Sequence, residues 1–294
     1  MWRYPQLTND YKIELMEETY QNIKYIDIEK TIGERNSGLL KKLPAFVIKI
    51  MTGIIHQDEI NLILNKYSND IGADFLEKVI KEFNIKLDIE GIENLPENKK
   101  CFFAANHPFG IADGLVMTYI VSQKYGSLKA IANDAFMFIP QLRPFVAAVN
   151  VFDGSSKEYI HKLEETYKED IPITHFPAGI VSRRHNGKVQ DLPWQKSFIS
   201  KAISSKRDIV PLHFHGTNSN LFYLIHSVRT FFGIEANIEL MLLPREMFRK
   251  RNKTIRVTIG KPIPYKTFDK SMTHLEWAQN VRAQVYRLGE KQKN

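Results

Sequence analysis

Residues 84–90 alternate strictly between apolar and polar. Ile85, Leu87 and Ile89 interleave with Lys86, Asp88 and Glu90, the two-residue period of a half-buried strand. Upstream the period is helical: Leu43, Val47, Ile50, Met51 and Ile54 recur around Pro44, which suits a first helical turn. Phe75, Leu76, Val79, Ile80 and Phe83 mark one side of a second helix over 74–83. Residues 1–83 therefore read as a mostly helical N-terminal region, and residues 84–294 as a second domain. In that domain strands and helices take turns. Apolar runs predict strands over 101–105, 129–132, 146–151, 173–176, 208–214 and 254–259; helical spacing predicts helices over 159–167, 195–203 and 273–288. This alternation argues for an α/β sheet with helices on its faces.

Composition sets limits. Hydrophobic residues make up 43% and charged residues 25% of 294 positions, enough for a sizeable core. The single cysteine, Cys101, rules out an internal disulfide and fits a reducing compartment. Arg3, Asp10, Lys12 and Glu14 interrupt the apolar run a secretory signal needs, and no stretch reaches the roughly 18–20 apolar residues of a spanning helix. A net charge of +8 favours an anionic partner, whether nucleic acid, anionic lipid or an acidic carrier protein. The positive charges are scattered and accompany no readout motif, so no nucleic-acid partner is expected.

One short stretch carries chemistry. Residues 106–114 read Asn-His-Pro-Phe-Gly-Ile-Ala-Asp-Gly, between an apolar strand pattern and an apolar helix pattern. A histidine at a strand-to-helix turn can reach a substrate from a rigid scaffold. An aspartate one or two helical turns later can orient the imidazole, which together makes a minimal base for a hydroxyl. No GxSxG elbow or glycine-rich phosphate loop occurs. His213 and His215 share one side of a strand and with His175 suggest a metal site. They lack cysteine partners or HExxH spacing, so core or cleft-lining roles, with no metal, are expected.

The 106–114 stretch resembles the signature of the glycerolipid (PlsC-like) lysophospholipid acyltransferase superfamily. Residues 175–184, His-Phe-Pro-Ala-Gly-Ile-Val-Ser-Arg-Arg, are similar to that family's FPEG block, and Ile209-Val210-Pro211-Leu212 to its later VP block. There are departures. Five residues rather than the usual four separate His107 from Asp113, Ala178 replaces the Glu of the second block, and its Arg is displaced to Arg183. This combination is similar to the hemolysin-like branch that includes ornithine-lipid and other amino-acid-lipid O-acyltransferases, as is the segment 216–223.

The resemblance implies a central mixed sheet flanked by helices. It implies transfer of an acyl group from an acyl carrier protein or CoA thioester to the hydroxyl of a lyso-lipid, of the lyso-amino-acid class, without a cofactor. His107 would be general base and Asp113 its orienting partner. Asn106, Gly110, Pro177, Gly179, Ser182 and Arg183 would contact substrate, with the Gly110 N–H helping an oxyanion and Arg183 on the cleft lip. The expected location is cytoplasmic, peripheral at the inner face of an anionic membrane. Two segments suit that contact: Leu39–Ile55 as an interfacial helix, and the basic run Arg245–Arg256, otherwise a solvated hairpin. The apolar stretches 221–225 and 231–234 suit an acyl-chain wall or core packing. Two alternatives stay open: a 1-acylglycerol-3-phosphate O-acyltransferase, and a non-catalytic membrane-associated lipid-binding protein.

Overall fold

The computed structural model describes residues 23–30, 44–149, 157–185 and 187–290. Of the expected elements, the start of the basic-flanked helix (39–43) and the end of one strand (150–151) lie outside the described residues. The chain divides into two compact units, Met1–Asp70 and Ile71–Asn294. The expected boundary at 83 moves to 70. The helix over 73–82 buries Phe75, Leu76, Val79 and Ile80 and packs on the helix that follows the motif, so it belongs with the sheet.

In the first unit, α1 (Ala45–Ile55) has no fully buried residue, and Phe46 and Ile50 are 66% and 55% exposed. Helix α2 (Gln57–Lys66) carries three buried amides spaced four apart, Gln57, Asn61 and Asn65. They strap down the segment 23–28. Asn61 accepts from Ile26 N–H (2.9 Å) and donates to its carbonyl (2.8 Å), Asn65 does the same for Ile23 (3.0 and 2.8 Å), and Gln57 accepts from Ile28 N–H (2.9 Å). Buried amides of this kind are kept inside by such hydrogen bonds.

The second unit begins with α3 (Ala73–Glu82) and β1 (Lys86–Glu90). It continues through β2 (Cys101–Ala105), α4 (Ile111–Tyr125), β3 (Lys129–Asn133), β4 (Val146–Val149), α5 (Lys157–Lys168) and β5 (Ile173–His175). A hairpin of β6 (Arg183–His185) and β7 (Lys188–Gln190) precedes α6 (Ser197–Ser205), β8 (Asp208–His215), α7 (Asn220–Phe231), α8 (Leu243–Phe248), β9 (Thr254–Ile259) and α9 (His274–Glu290). Seven strands make one sheet in the order β1-β9-β8-β2-β5-β3-β4. β8, β2, β5, β3 and β4 run parallel; β9 is antiparallel to β8 and pairs in parallel with β1. The mixed α/β architecture is thus the one expected.

Strand β2 is buried along its whole length, as a central parallel strand covered on both faces must be. Burial pushes the Cys101 thiol up to about 12, which leaves it protonated and inert. On one face, Trp194, Phe198, Ile199, Val281 and Val285 from α6, α9 and the preceding loop form the core. The basic connection before β9 is not a hairpin. Ile238–Leu242 forms a 3₁₀ turn leading into α8, because the turn's Glu239 is drawn inward onto two arginines.

Candidate active site

Strands β5, β2 and β8 are neighbours and parallel, so the three motif-bearing segments leave or cross the sheet side by side. Open α/β sheets bind ligands outside the carboxyl ends of such strands. Beyond β2, the Asn106 side chain prolongs the ladder to β8: it donates to the Phe214 carbonyl (2.9 Å) and accepts from the Phe214 N–H (2.7 Å). His107 comes next. Its N–H donates to Asp191 Oδ1 (3.1 Å) and its carbonyl accepts from the Ser182 N–H (2.8 Å). Its ring stacks on Phe176, 3.9 Å between centroids and 20° from coplanar, and its side chain is 16% exposed.

The turn after His107 needs its glycine. Gly110 has φ 84°, and a Cβ there would lie 2.8 Å from Leu243 Cδ2 and 3.1 Å from Val181 Cγ2. This turn absorbs the extra residue in the His–Asp spacing. Asp113, in the first turn of α4 and fully buried, swings back. Its Oδ2 accepts from the Phe109 N–H (2.8 Å) and Gly110 N–H (3.3 Å), and its Oδ1 from the Gly114 N–H (2.9 Å). Oδ1 also lies 3.0 Å from His107 Nδ1. That approach is short but off hydrogen-bond alignment, so the coupling is a close charge contact. It leaves Nε2 as the nitrogen for a substrate. The Gly110 N–H, expected to face an oxyanion, is instead engaged by Asp113.

The other expected contacts mostly build the scaffold. Gly179, at φ 74°, closes a tight turn with its N–H on the Phe176 carbonyl (2.9 Å), and the Pro177 carbonyl accepts from Gln195 N–H (2.9 Å). That turn presents Phe176 to the imidazole. Ser182, 1% exposed, donates its hydroxyl to Asp191 Oδ1 (2.6 Å). Arg183 is not on a lip. It is 1% exposed, donates to Glu239 Oε1 (2.8 Å) and the Val181 carbonyl (2.6 Å), and lies over Phe222. The next arginine, Arg184, is the exposed one and donates to Asn220 Oδ1 (3.0 Å).

Nothing in the local pattern of Gln190–Trp194 sets Asp191 apart. Buried at 2% exposure, it gathers the His107 N–H, the Ser182 hydroxyl and the Trp194 indole N–H (2.9 Å), while its own N–H donates to the Tyr286 hydroxyl (2.7 Å). Burial raises its carboxyl pKa against these donors. Asp191→Asn turns an NH₂ toward a donor and shifts His107. We expect kcat to fall on the order of 10–10²-fold with KM little changed, as for misplaced catalytic groups. Unchanged kcat in steady-state assays would remove this positioning role.

Beside the motif opens a cavity of about 230 Å³ whose wall includes Asn106 and Pro108, on either side of His107, with Ser182, His213 and Tyr286. His213 meets His215 edge to face at 4.7 Å, and burial pushes His213 and, on β5, His175 down to about 4, so both are neutral. Lys250 caps the other side of the turn, 3.7 Å from the Phe109 ring centroid, and burial lowers its ammonium to about 8. Among the described residues no three His, Cys, Asp or Glu side chains converge as a metal cage.

A family model described as "Acyltransferase" matches residues 30–293. A lyso-glycine lipid O-acyltransferase of Phocaeicola vulgatus is 41% identical over 271 residues, 92% of this chain and 97% of that protein. One of Bacteroides thetaiotaomicron is 40% identical over 271 residues, 92% of this chain and 100% of that protein. Among solved structures, the 1-acyl-sn-glycerophosphate (LPA) acyltransferase PlsC from Thermotoga maritima aligns with TM-score 0.47 and 16% identity, covering 76% of this chain and 79% of that one. With the model spanning nearly its whole length and its imidazole–carboxylate pair intact, this chain belongs to the acyltransferase family.

Proposed function

We propose that this protein transfers a fatty acyl group from a carrier-protein or CoA thioester to the hydroxyl of a lyso-amino-acid lipid, of the lyso-glycine lipid class. The observation that carries this is 40–41% identity across 92% of the chain to two relatives bearing that name. The His107–Asp113 contact at 3.0 Å supplies the chemistry. His107 Nε2 takes the proton of the acceptor hydroxyl as its oxygen attacks the thioester carbonyl carbon. The carbonyl electron pair moves onto oxygen, and the tetrahedral adduct collapses by breaking the C–S bond. The departing thiolate takes the proton from the imidazolium, whose charge Asp113 offsets meanwhile. Ester and thiol are the products, and His107 is returned neutral.

The burial of Arg183 against Glu239 weighs against lysophosphatidate, because the displaced arginine of the second motif block is not free to clamp a phosphate. The proposal includes a peripheral place at the inner face of an anionic membrane. Support comes from the net charge of +8 and from α1, with its exposed Phe46 and Ile50. No helix of the described residues is long and apolar enough to cross a membrane. Incubation of purified protein with acyl carrier thioester or acyl-CoA and a panel of lyso-lipids tests the acceptor. Thiol release is expected with lyso-glycine lipid, and release with lysophosphatidate alone would sink the reading.

A further inference from the structure

Helix α7 is apolar on both faces. Inward, Phe222 and Tyr223 are buried. Outward, Leu221, Leu224, Val228 and Phe231 follow at spacings of three and four, and they are 41%, 59%, 47% and 83% exposed. Phe232 and Ile234, 70% and 44% exposed, extend the row past the helix end. Single exposed apolar side chains are ordinary, but a continuous row marks a contact surface.

Two further observations say what the contact is. First, the polar groups of this helix are bonded within the protein, including the exposed hydroxyls of Ser227 and Thr230. Ser227 Oγ donates to the Tyr223 carbonyl (2.9 Å) and Thr230 Oγ1 to the His226 carbonyl (2.8 Å). Arg229 and His226 fold onto the buried Glu239, at 2.5 and 3.4 Å. No Asp, Glu or Lys occurs between residues 220 and 234. Such a surface enters hydrocarbon with little polar desolvation. Second, the charges around it are mainly basic. Arg184 sits at the N-terminal end of α7, bonded to Asn220, and α8 carries Arg245, with Arg249 next, against the turn that packs on α7. Glu246, their acidic neighbour, is 1% exposed, and Glu235 is the exposed acid at the far end.

We propose that the outward face of α7, with Phe231 and Phe232 at its tip, docks onto the interface of an anionic lipid bilayer. The helix starts just after Gly216, where a Cβ would meet the Phe109 ring at 2.8 Å, so a bilayer held there lies beside the His107 turn. The proposal deepens the lipid-acceptor reading and gives it an element that brings the site to its substrate. Its test does not depend on turnover.

Sedimentation with phosphatidylcholine vesicles, with and without phosphatidylglycerol, reads the docking. Binding is expected to rise with the anionic fraction and fall with salt. Phe231→Ser combined with Phe232→Ser is expected to weaken it at least about tenfold, with unchanged melting temperature and unchanged turnover on a short-chain, monomeric lyso-lipid. Leu224→Gln, one turn along the same row, is expected to weaken it too. Unchanged vesicle binding in both variants overturns the proposal. So does a wild-type dimer that the variants split while vesicle binding persists, which makes the row a protein interface. A protein inactive on every lyso-lipid whose vesicle binding still depends on Phe231 and Phe232 loses the acceptor reading and keeps the docking surface.

Discussion

Exchange of His107 for alanine is expected to lower kcat by about 10²–10⁴-fold, the usual contribution of a positioned general base. The fold should survive, because residue 107 is tied to Asp191 and Ser182 through its main chain, which alanine keeps. The stacking on Phe176 is lost, but Phe176 stays in the turn closed by Gly179. His175, on the neighbouring strand, is a poor substitute, since burial pushes it down to about 4 and makes it a much weaker base. Thiol release measured beside a thermal melt separates loss of chemistry from loss of structure. A variant that melts normally and turns over within tenfold of wild type would exclude His107 as the base.

Glu239→Gln is expected to be the most damaging substitution for stability. The Glu239 carboxylate is fully buried and pairs with both Arg183 (2.8 Å) and Arg229 (2.5 Å), with His226 at 3.4 Å. Burial alone would raise its pKa, but the hydrogen bond from Arg229 and the charge of Arg183 outweigh that and hold it below the ordinary range. Removing its charge leaves the buried Arg183 uncompensated, a loss of about 3–5 kcal/mol and so a large share of a typical stability. The pH dependence has a definite sign. A depressed carboxylate contributes stability above its unfolded value of 4.5 and loses it as pH falls through the folded value. Wild type should therefore exceed the variant at neutral pH, and the gap should narrow below about pH 4.5. Urea midpoints at pH 7 and pH 4 measure this. Equal midpoints at pH 7 would mean the cluster does not brace the second motif block.

The alternating and helical periods were enough to locate most strands and helices. A strand of period two, or a buried run bounded by turns, depends on neighbours only to say which way it faces. Those periods missed what is set by side chains meeting from afar. Glu239 turns Ile238–Leu242 into a 3₁₀ turn through arginines 56 and 10 residues away. In the same way, the α7 helix hides in a segment apolar on both faces, where no amphipathic stripe stands out.

The candidate site divides along the same line. The motif named the imidazole and carboxylate, but a one-residue shift in spacing left their meeting to a glycine turn at φ 84°. Asp191 lies 84 positions from His107 and holds its main chain, a bond that no local pattern announces. Arg183 illustrates the reverse: its place in the motif suggests the cleft, and its partner, Glu239, comes from a distant turn and takes it into the core.

The order of residues by itself determined the fold class, the family and the imidazole and carboxylate that we propose for proton transfer, because periodicity and short motifs are properties of adjacent positions. Only the tertiary structure decided which groups remain free for a substrate and which are consumed in holding the site together. Burial and pairing depend on the far parts of the chain that pack around each group, and neither quantity exists until they do.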